Sequence, residues 1–205
     1  MGAMTSPSPS APKPARARNA AATRSAILAA ASHQFARESY ENVGLREIGR
    51  AAGVDPALIC RYFGSKEGLF RDVLHADHDE TLLDGVTEAG LPARLASLVL
   101  EECEEREDAE ARAAKMERLF VVLRSASSPH ASAIASEAVR DDFIAPIRDR
   151  LDGDDAALRA GLALSVLIGS VVVRNMMSLS SLSEIDQDRV RTRLVKLLEN
   201  ALATG

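Results

Sequence analysis

Residues 45–70 read LREIGRAAGVDPALICRYFGSKEGLF, and this stretch decides the fold that we predict for the chain. Ile48 and Ala52 lie four residues apart, and so do Ile59 and Phe63. Each pair therefore predicts a short helix that buries one apolar stripe. Helices of this length are unstable alone, so both must pack against a longer helix.

Turn residues separate these two helices from each other and from a third. Gly53 is expected to end the first helix, because glycine accepts the left-handed backbone that closes a helix. Asp55 can then cap the second helix with its carboxylate, and Pro56 fits the first helical position, where a missing N–H costs nothing. The second helix is expected to stop at Gly64, and Ser65 can cap the next one. The stretch therefore predicts a helix-turn-helix followed at once by another helix.

The residues before this stretch predict a long helix behind an unstructured arm. The helix is expected over 19–38, where Ile27 and Phe35 belong to an apolar face. Residues 1–18 read MGAMTSPSPSAPKPARAR, with three basic residues and no acidic one. Such a segment cannot bury enough apolar surface to order itself. It is either a disordered basic arm that follows the DNA backbone or enters the minor groove, or a solvated tail.

Several motifs follow one another at fixed spacing over residues 20–75. They read Thr23-Arg24, Leu45-Arg46-Glu47-Ile48-Gly49, Ala52-Gly53-Val54-Asp55, Arg61-Tyr62-Phe63 and Ser65-Lys66-Glu67-Gly68-Leu69. This pattern resembles the DNA-binding domain of the TetR family of bacterial transcriptional repressors. The resemblance implies an all-α fold. It has a three-helix, helix-turn-helix DNA-binding domain over 19–78 and a helical effector-binding and dimerisation domain over 79–205.

The resemblance and the general geometry of the motif suggest which residues meet DNA. The start of the second helix of a helix-turn-helix faces base edges, and the flanking helices grip phosphates. The residues expected to contact DNA are Thr23, Arg46, Pro56, Ala57, Cys60, Arg61, Tyr62 and Lys66. As alternatives, the arginines are solvated helix charges and the tyrosine packs at a helix end. Cys60 stands where the family commonly has tyrosine, so a phosphate-contacting hydroxyl is missing; it is either a redox switch or a small filler.

Composition and charge are compatible with a helical DNA-binding protein. The 205 residues are 46% hydrophobic and only 3% aromatic, which favours helices over sheet. The net charge of −5 is unevenly spread: residues 1–75 hold ten Lys and Arg against six Asp and Glu. The basic end is the one with the helix-turn-helix, and phosphate attraction depends on local charge. Two cysteines without metal spacing, and no secretory signal, predict a cytoplasmic protein.

The second half of the chain predicts further amphipathic helices. Their expected apolar faces are Leu91, Leu95, Leu98 and Val99; Met116, Leu119, Phe120 and Leu123; Phe143, Ile147 and Leu151; and Val190, Leu194, Leu197, Leu198 and Ala201. Pro146 is expected to bend the third of these helices. The polar stretch 79–90 is expected to link the two domains.

Residues 161–173 read GLALSVLIGSVVV and are apolar on every side. The run is too short to span a membrane and is followed by Arg174, so no membrane partner is expected. A helix buried all round needs a second body, and the simplest is the same helix of a second subunit. The resemblance agrees, because dimers of the family pair their last two helices. The dimer interface is expected at Gly161, Ser165, Gly169, Val173, Leu194 and Leu198.

The resemblance also implies an effector pocket for an unknown small molecule in the second domain. Its expected lining is Met116, Phe120, Arg124, Phe143, Asn175 and Met177. Each of these is alternatively an ordinary core or interface residue. A ligand would change the spacing of the two DNA-reading heads and so weaken binding to a near-palindromic operator.

Two other classes of protein compete with a ligand-responsive regulator. A helical enzyme or metal-binding protein has its best case at His75, His78 and Asp79, whose spacing could hold a metal or form a hinge. The sequence has no nucleophile triad and no phosphate loop, so we expect neither catalysis, nor a cofactor, nor a metal. A dimeric interaction module without DNA binding is the other alternative, for which Cys60 is the only hint.

Overall fold

The computed structural model describes residues 14–76, 81–101, 109–177 and 186–204, apart from some side chains within these ranges. The first four helices are α1 Pro14–Phe35, α2 Leu45–Ala52, α3 Pro56–Phe63 and α4 Lys66–His75. Because α1 begins at Pro14, residues 14–18 are helical, and the expected arm is five residues too long at this end. Residues 1–13 lie outside the described part of the chain.

The apolar stripes of the helix-turn-helix are buried as predicted. Ile48 and Ile59 are fully buried, and Phe63 is 8% exposed. They join the buried face of α1, where Phe35 meets the edge of the Phe70 ring at 4.8 Å between centroids. Tyr40 stacks beside Phe35 on the same core. The short helices are therefore held by α1 and α4 rather than by their own propensity.

The rest of the described chain is also helical. Its elements are a 3₁₀ turn Glu88–Gly90, α5 Leu91–Glu101, α6 Ala109–Ser125, α7 Pro129–Val139, a π turn Arg140–Ile144, α8 Ala145–Arg148, α9 Ala156–Val171, a π turn Val172–Met176 and α10 Gln187–Leu202. The all-α prediction is confirmed. The faces expected on α5, α6 and α10 lie on helices, but a separate helix α7 precedes the one expected around Pro146.

The described residues form two hydrophobic cores. α6 and α7 belong to the second half of the sequence but contribute to the core of the first half. The first core combines α1 to α4 with Val121 of α6 and with Ala131, Ile134, Ala135 and Ala138 of α7. The second core is built mainly from α5, α8, α9 and α10. α6 and α7 are therefore packed directly against the helix-turn-helix unit.

The turn after α7 shows how Pro146 is accommodated. The sequence predicted a bent helix, and the structure instead has a π-helical turn, Arg140–Ile144, followed by the short helix α8. α7, the π turn and α8 follow one another with helical backbone at both junctions, so Pro146 lies inside a continuous helical run, two residues after the wider turn. Such wide turns often occur at functional positions.

The helix α9 has one buried face and one exposed face. Ala160 and Ala163 pack in the second core and Leu164 is also buried, whereas Leu158 and Leu162 are 64% and 49% exposed. By length and composition alone, residues 156–174 would also suit a membrane span, and a third of that window is buried in the structure. A single helix of this kind is weak evidence for a membrane.

A buried arginine fixes the start of α9 within the subunit. The Arg159 side chain is 3% exposed and pairs with Asp155, whose carboxylate oxygen lies 2.9 Å from Nε. Arg159 Nη1 donates to the carbonyl of Leu202 at 2.7 Å. The first turn of α9 is thereby tied to the last turn of α10.

The stretch predicted as a polar link is partly packed. Leu83 is only 5% exposed and belongs to the second core. Its carbonyl accepts hydrogen bonds from Nε and Nη2 of Arg150, at 3.1 and 2.8 Å. Residues 81–90 are therefore anchored to the second core, while 77–80 lie outside the description.

Candidate nucleic-acid interface

The turn between α2 and α3 has the geometry that the sequence indicated. Gly53 has φ +66° and ψ +31°, the left-handed conformation that ends α2. Asp55 caps α3 through a hydrogen bond in which its Oδ1 accepts from the Ala57 N–H at 2.7 Å, and Pro56 occupies the first turn. The start of α3 is therefore fixed by two local devices and by the close approach of α2.

Glycine is required where α3 passes into α4. Gly64 has φ +76°, and Ser65 Oγ accepts a hydrogen bond from the Gly68 N–H at 3.0 Å. A Cβ atom on Gly68 would lie 2.2 Å from the carbonyl oxygen of Phe63. No side chain fits there unless the backbone moves, so Gly68 sets how closely α4 follows α3.

The residues predicted on the outer surface of α3 are accessible to different degrees. Ala57, Cys60 and Arg61 are exposed, whereas Pro56 and Tyr62 are half-buried. Tyr62 packs against the first core, and its ring lies 6.3 Å from that of Phe63. The tyrosine therefore has a packing role whether or not its hydroxyl also meets DNA.

Three arginines surround this surface. Arg46 and Arg50 lie one turn apart on α2, Arg61 lies on α3, and all three are exposed. Within the described part of the chain, none of the three forms an ion pair. Their charge is therefore available to an anionic partner. Arg50 was not predicted, although its position four residues after Arg46 could have indicated it.

Lys66 lies at the start of α4 and is held against the protein. Its Nζ lies 4.4 Å above the centre of the Tyr40 ring. Burial lowers the pKa of Lys66, while Glu41 and Glu47 act in the opposite direction. A phosphate contact at this position would therefore use a cation whose orientation is already fixed.

Thr23 was also predicted to contact DNA, and its hydroxyl is engaged within α1. Thr23 Oγ1 donates to the carbonyl of Asn19 at 2.7 Å. The neighbouring Arg24 pairs with Asp72 and lies 5.1 Å from the centre of the Phe63 ring. This end of α1 thus supports α3 and α4. Because the Thr23 hydroxyl donates its only hydrogen to Asn19, it can accept a further hydrogen bond but has no second one to donate.

Comparison with protein families agrees with this geometry. Residues 27–73 match the family described as "Bacterial regulatory proteins, tetR family". Residues 89–202, more than half of the chain, match the family described as "Tetracyclin repressor-like, C-terminal domain". The chain belongs to the TetR family. The resemblance noted in the sequence is thereby confirmed, and it extends through the second half, where the motifs were weak.

A sequence relative of this TetR-family chain matches over a short stretch. It is the HTH-type transcriptional regulatory protein RaaS of Mycobacterium tuberculosis, 56% identical over 43 residues. The match covers 21% of this chain and 20% of that protein, so the chain matches about one fifth of the relative's length.

Solved structures match over nearly the whole TetR-family chain. NalD, the secondary repressor of the MexAB-OprM multidrug efflux pump in Pseudomonas aeruginosa, has a TM-score of 0.63 at 19% identity, over 88% of this chain and 96% of NalD. A TetR-family regulator from Rhodococcus sp. has 0.62 at 18% identity, over 89% and 100%. Salmonella enterica GusR has 0.61 at 22% identity, over 88% and 95%. These likenesses show the fold.

Three of the residues expected in an effector pocket lie in different surroundings. Phe120 packs against the first core, and Arg124 Nε donates to the carbonyl of Ala36, just after α1, at 2.7 Å. Met177 is 58% exposed. Their role in an effector pocket therefore stays a prediction.

The other expected pocket residues are less informative. Met116 and Phe143 are half-buried, and the Phe143 ring lies 5.1 Å from the Arg118 guanidinium carbon. The side chain of Asn175 lies outside the description. Nearby, Arg174 is only 6% exposed, and its Nη2 donates to Gln187 Oε1 at 2.9 Å.

The residues expected at a dimer interface divide into two groups. Ser165 and Gly169 are exposed on α9, and Gly161 and Val173 are half-buried. Leu194 and Leu198 are 4% and 0% exposed and belong to the subunit's own core, so they are not open to a partner. These two predictions were wrong, because α10 turns its leucine stripe towards α5. The exposed leucines of α9 and α10 are instead Leu158, Leu162 and Leu197.

Proposed function

We propose that this TetR-family chain is a cytoplasmic transcriptional repressor. It binds a near-palindromic DNA operator as a homodimer and is released by a small molecule. The observation that carries the proposal is the surface of α2 and α3, where exposed arginines, which form no ion pair with the described residues, surround the capped start of α3. Family membership supports the same reading.

The proposed DNA contacts divide into two kinds. Pro56, Ala57 and Cys60 lie on the first two turns of α3, which in a helix-turn-helix face base edges in the major groove. Arg46 and Arg61 flank them and can reach phosphates or a guanine edge. To these we add Arg50. Lys66, Thr23 and Tyr62 are supporting contacts, since each is already engaged within the protein.

The proposed dimer uses the exposed stripe of α9. Leu158, Leu162, Ser165 and Gly169 follow one another at intervals of four, three and four residues, the spacing of a single helix face. Leu197 of α10 is exposed to 55%. Two-fold pairing through these residues would cover the apolar face and present two reading heads to two half-sites.

The proposed effector acts by binding more tightly to the dimer in one arrangement of its two helix-turn-helix units than in the other. Its site lies in the second domain by analogy with the family, and its chemistry stays open. In the rival metal site, His75 is engaged with Asp142, and His78 and Asp79 lie outside the described residues. We propose no enzyme activity and no cofactor.

The test begins with selection of binding sequences from a random DNA pool. We expect a palindromic consensus. Arg46→Ala/Arg61→Ala should bind it at least about tenfold more weakly and with a shallower dependence on salt, because phosphate contacts release counterions. Arg148→Ala is the matched control, since Arg148 is exposed on α8 and paired with Asp149. A folded dimer that selects no sequence, even after removal of any bound ligand by unfolding and refolding, would favour the interaction module.

A further inference from the structure

A buried carboxylate joins the helix-turn-helix unit to the rest of the subunit. The side chain of Asp142 is 6% exposed. His75 Nδ1 lies 2.9 Å from its Oδ1 and 3.1 Å from its Oδ2, and Arg118 Nη2 donates to Oδ2. Three elements therefore meet at one side chain: the last turn of α4, the middle of α6 and the π turn after α7.

The π turn that carries Asp142 stands between the two cores. Ala138, just before the turn, belongs to the first core, and Ile144 and Ile147 pack in the second. The turn also packs against α9, whose outer face we assign to the dimer contact. The π turn thus packs against the dimer helix, and its residue Asp142 is paired with His75 of α4.

The pair at Asp142 is the shortest of three pairs that join α4 to α7 and the π turn after it. Glu67, Arg71 and His75 lie at intervals of four residues, and they face His130, Glu137 and Asp142 across α7 and the following turn. The first two pairs are 3.6 and 3.8 Å long between exposed side chains, where ion pairs contribute little. The third is shorter and has a buried partner that also accepts from Arg118, so it determines the position of the end of α4.

The position of α4 matters because α3 moves with it. Gly68 brings the first turn of α4 against the carbonyl of Phe63, the last residue of α3. Leu69, Phe70 and Leu74 bury α4 in the same core as Ile59. A change in the angle of α4 relative to α9 would therefore move α3 as a unit.

We propose that Asp142 is a positioning residue for operator recognition. By holding His75 and Arg118 together, it fixes the angle between α4 and the dimer helix α9, and so fixes the distance between the two reading heads. The inference rests on the proposed function. It predicts that Asp142 controls which half-site spacing is bound, without affecting which bases are read.

The test uses operators that differ only in the number of base pairs between the half-sites. The native protein should prefer one spacing. In Asp142→Asn, which keeps the shape but loses the charge, we expect at least about a tenfold loss of preference for that spacing over its neighbours. Affinity for an isolated half-site and the consensus within it should not change. Asp141→Asn is the matched control, because Asp141 is exposed on the same turn.

A second variant guards against misfolding. His75→Phe keeps a planar ring and leaves Asp142 paired with Arg118, but removes the tie to α4. It should broaden the spacing preference in the same way, and combining both changes should add little to either one. If folded, dimeric His75→Phe and Asp142→Asn keep the native spacing preference, the inference is wrong. If the native protein binds no operator, the proposed function fails instead.

Discussion

The helix-turn-helix depends on a few single residues whose type is fixed by the local backbone geometry or by a capping hydrogen bond. Gly68 is such a position, because its missing Cβ makes room for the Phe63 carbonyl. Asp55 and Ser65 act at the starts of α3 and α4 by satisfying N–H groups that have no partner within the helix. Together they fix the course of the chain from the reading helix into α4.

Gly68→Ala should destabilise the protein by about 3 kcal/mol, because the new methyl would overlap a backbone oxygen that cannot rotate away. Urea unfolding at pH 7 would measure this loss. Gly90→Ala is the control: a Cβ there would meet Val86 and Thr87 at 3.5 and 3.6 Å, ordinary contact distances. The control should change stability by less than about 0.5 kcal/mol. Equal effects of the two substitutions would contradict the account of Gly68.

Sequence patterns predicted the helix caps but not the need for glycine at position 68. Asp55, Ser65 and Gly53 could be read from sequence because capping depends on neighbours in the chain. The need for Gly68 arises from how closely α3 and α4 approach, which no local pattern records. Lys66 shows the same limit: its position was recognised, but its contact with Tyr40 depends on tertiary packing.

Among the secondary structure elements, α7 attaches the second half of the chain to the helix-turn-helix unit. Ser128 accepts a hydrogen bond from the Ala131 N–H at 3.1 Å and so caps α7. The same hydroxyl donates to Glu41. That hydrogen bond lowers the pKa of the Glu41 carboxyl, and Lys66 and His130 act in the same direction.

Ser128→Ala should cost about 1 kcal/mol at pH 7 through loss of the cap. It should also return the pKa of Glu41 towards its ordinary value. Because the folded-state pKa of Glu41 is lowered, its contribution is present above the ordinary carboxyl pKa and is lost as the pH falls through the folded-state pKa. The stability difference between native and variant should therefore narrow in acid, as urea unfolding across pH would show.

The control for this experiment is Ser136→Ala, on the exposed face of the same helix. It should be close to neutral at every pH, because alanine is a good helix former. A Ser128→Ala penalty that stays constant from neutral to acid pH would show that the hydrogen bond to Glu41 contributes nothing.

The elements were predictable to the extent that large apolar residues marked them. α2, α3, α5 and α10 present Ile, Leu or Val at helical spacing and were recognised. The helix α7 was missed because its buried face is Ala131, Ile134, Ala135 and Ala138, mostly alanines that give a weak periodic signal. The π turn was not predicted, since proline indicates a break without specifying its geometry.

In the whole molecule, the proposed DNA recognition depends on the two-fold pairing of two subunits. Sequence reasoning recognised α9 as a helix with too much apolar surface for one subunit. It assigned part of the interface to Leu194 and Leu198, because periodicity alone does not say which stripe of α10 the subunit keeps for itself. The effector residues stay a prediction, and two of them, Phe120 and Arg124, contribute to the contact of α6 with the first core and the end of α1.

The central claim is that two subunits, joined through α9, read two half-sites. Leu162→Glu would bring a charge into the proposed interface, and we expect a monomer in analytical ultracentrifugation. Leu123→Glu is the control, because Leu123 is 37% exposed and lies on α6 rather than on α9 or α10. The control should remain dimeric.

The most direct measurement compares the affinity for the complete operator with that for the same DNA with one half-site scrambled. The native protein and Leu123→Glu should bind the complete operator about a hundredfold more tightly, because the second head binds at high effective concentration. Leu162→Glu should bind both DNAs equally weakly. A native protein that binds the two DNAs with equal affinity, or a Leu162→Glu variant that keeps the hundredfold preference, would contradict the account.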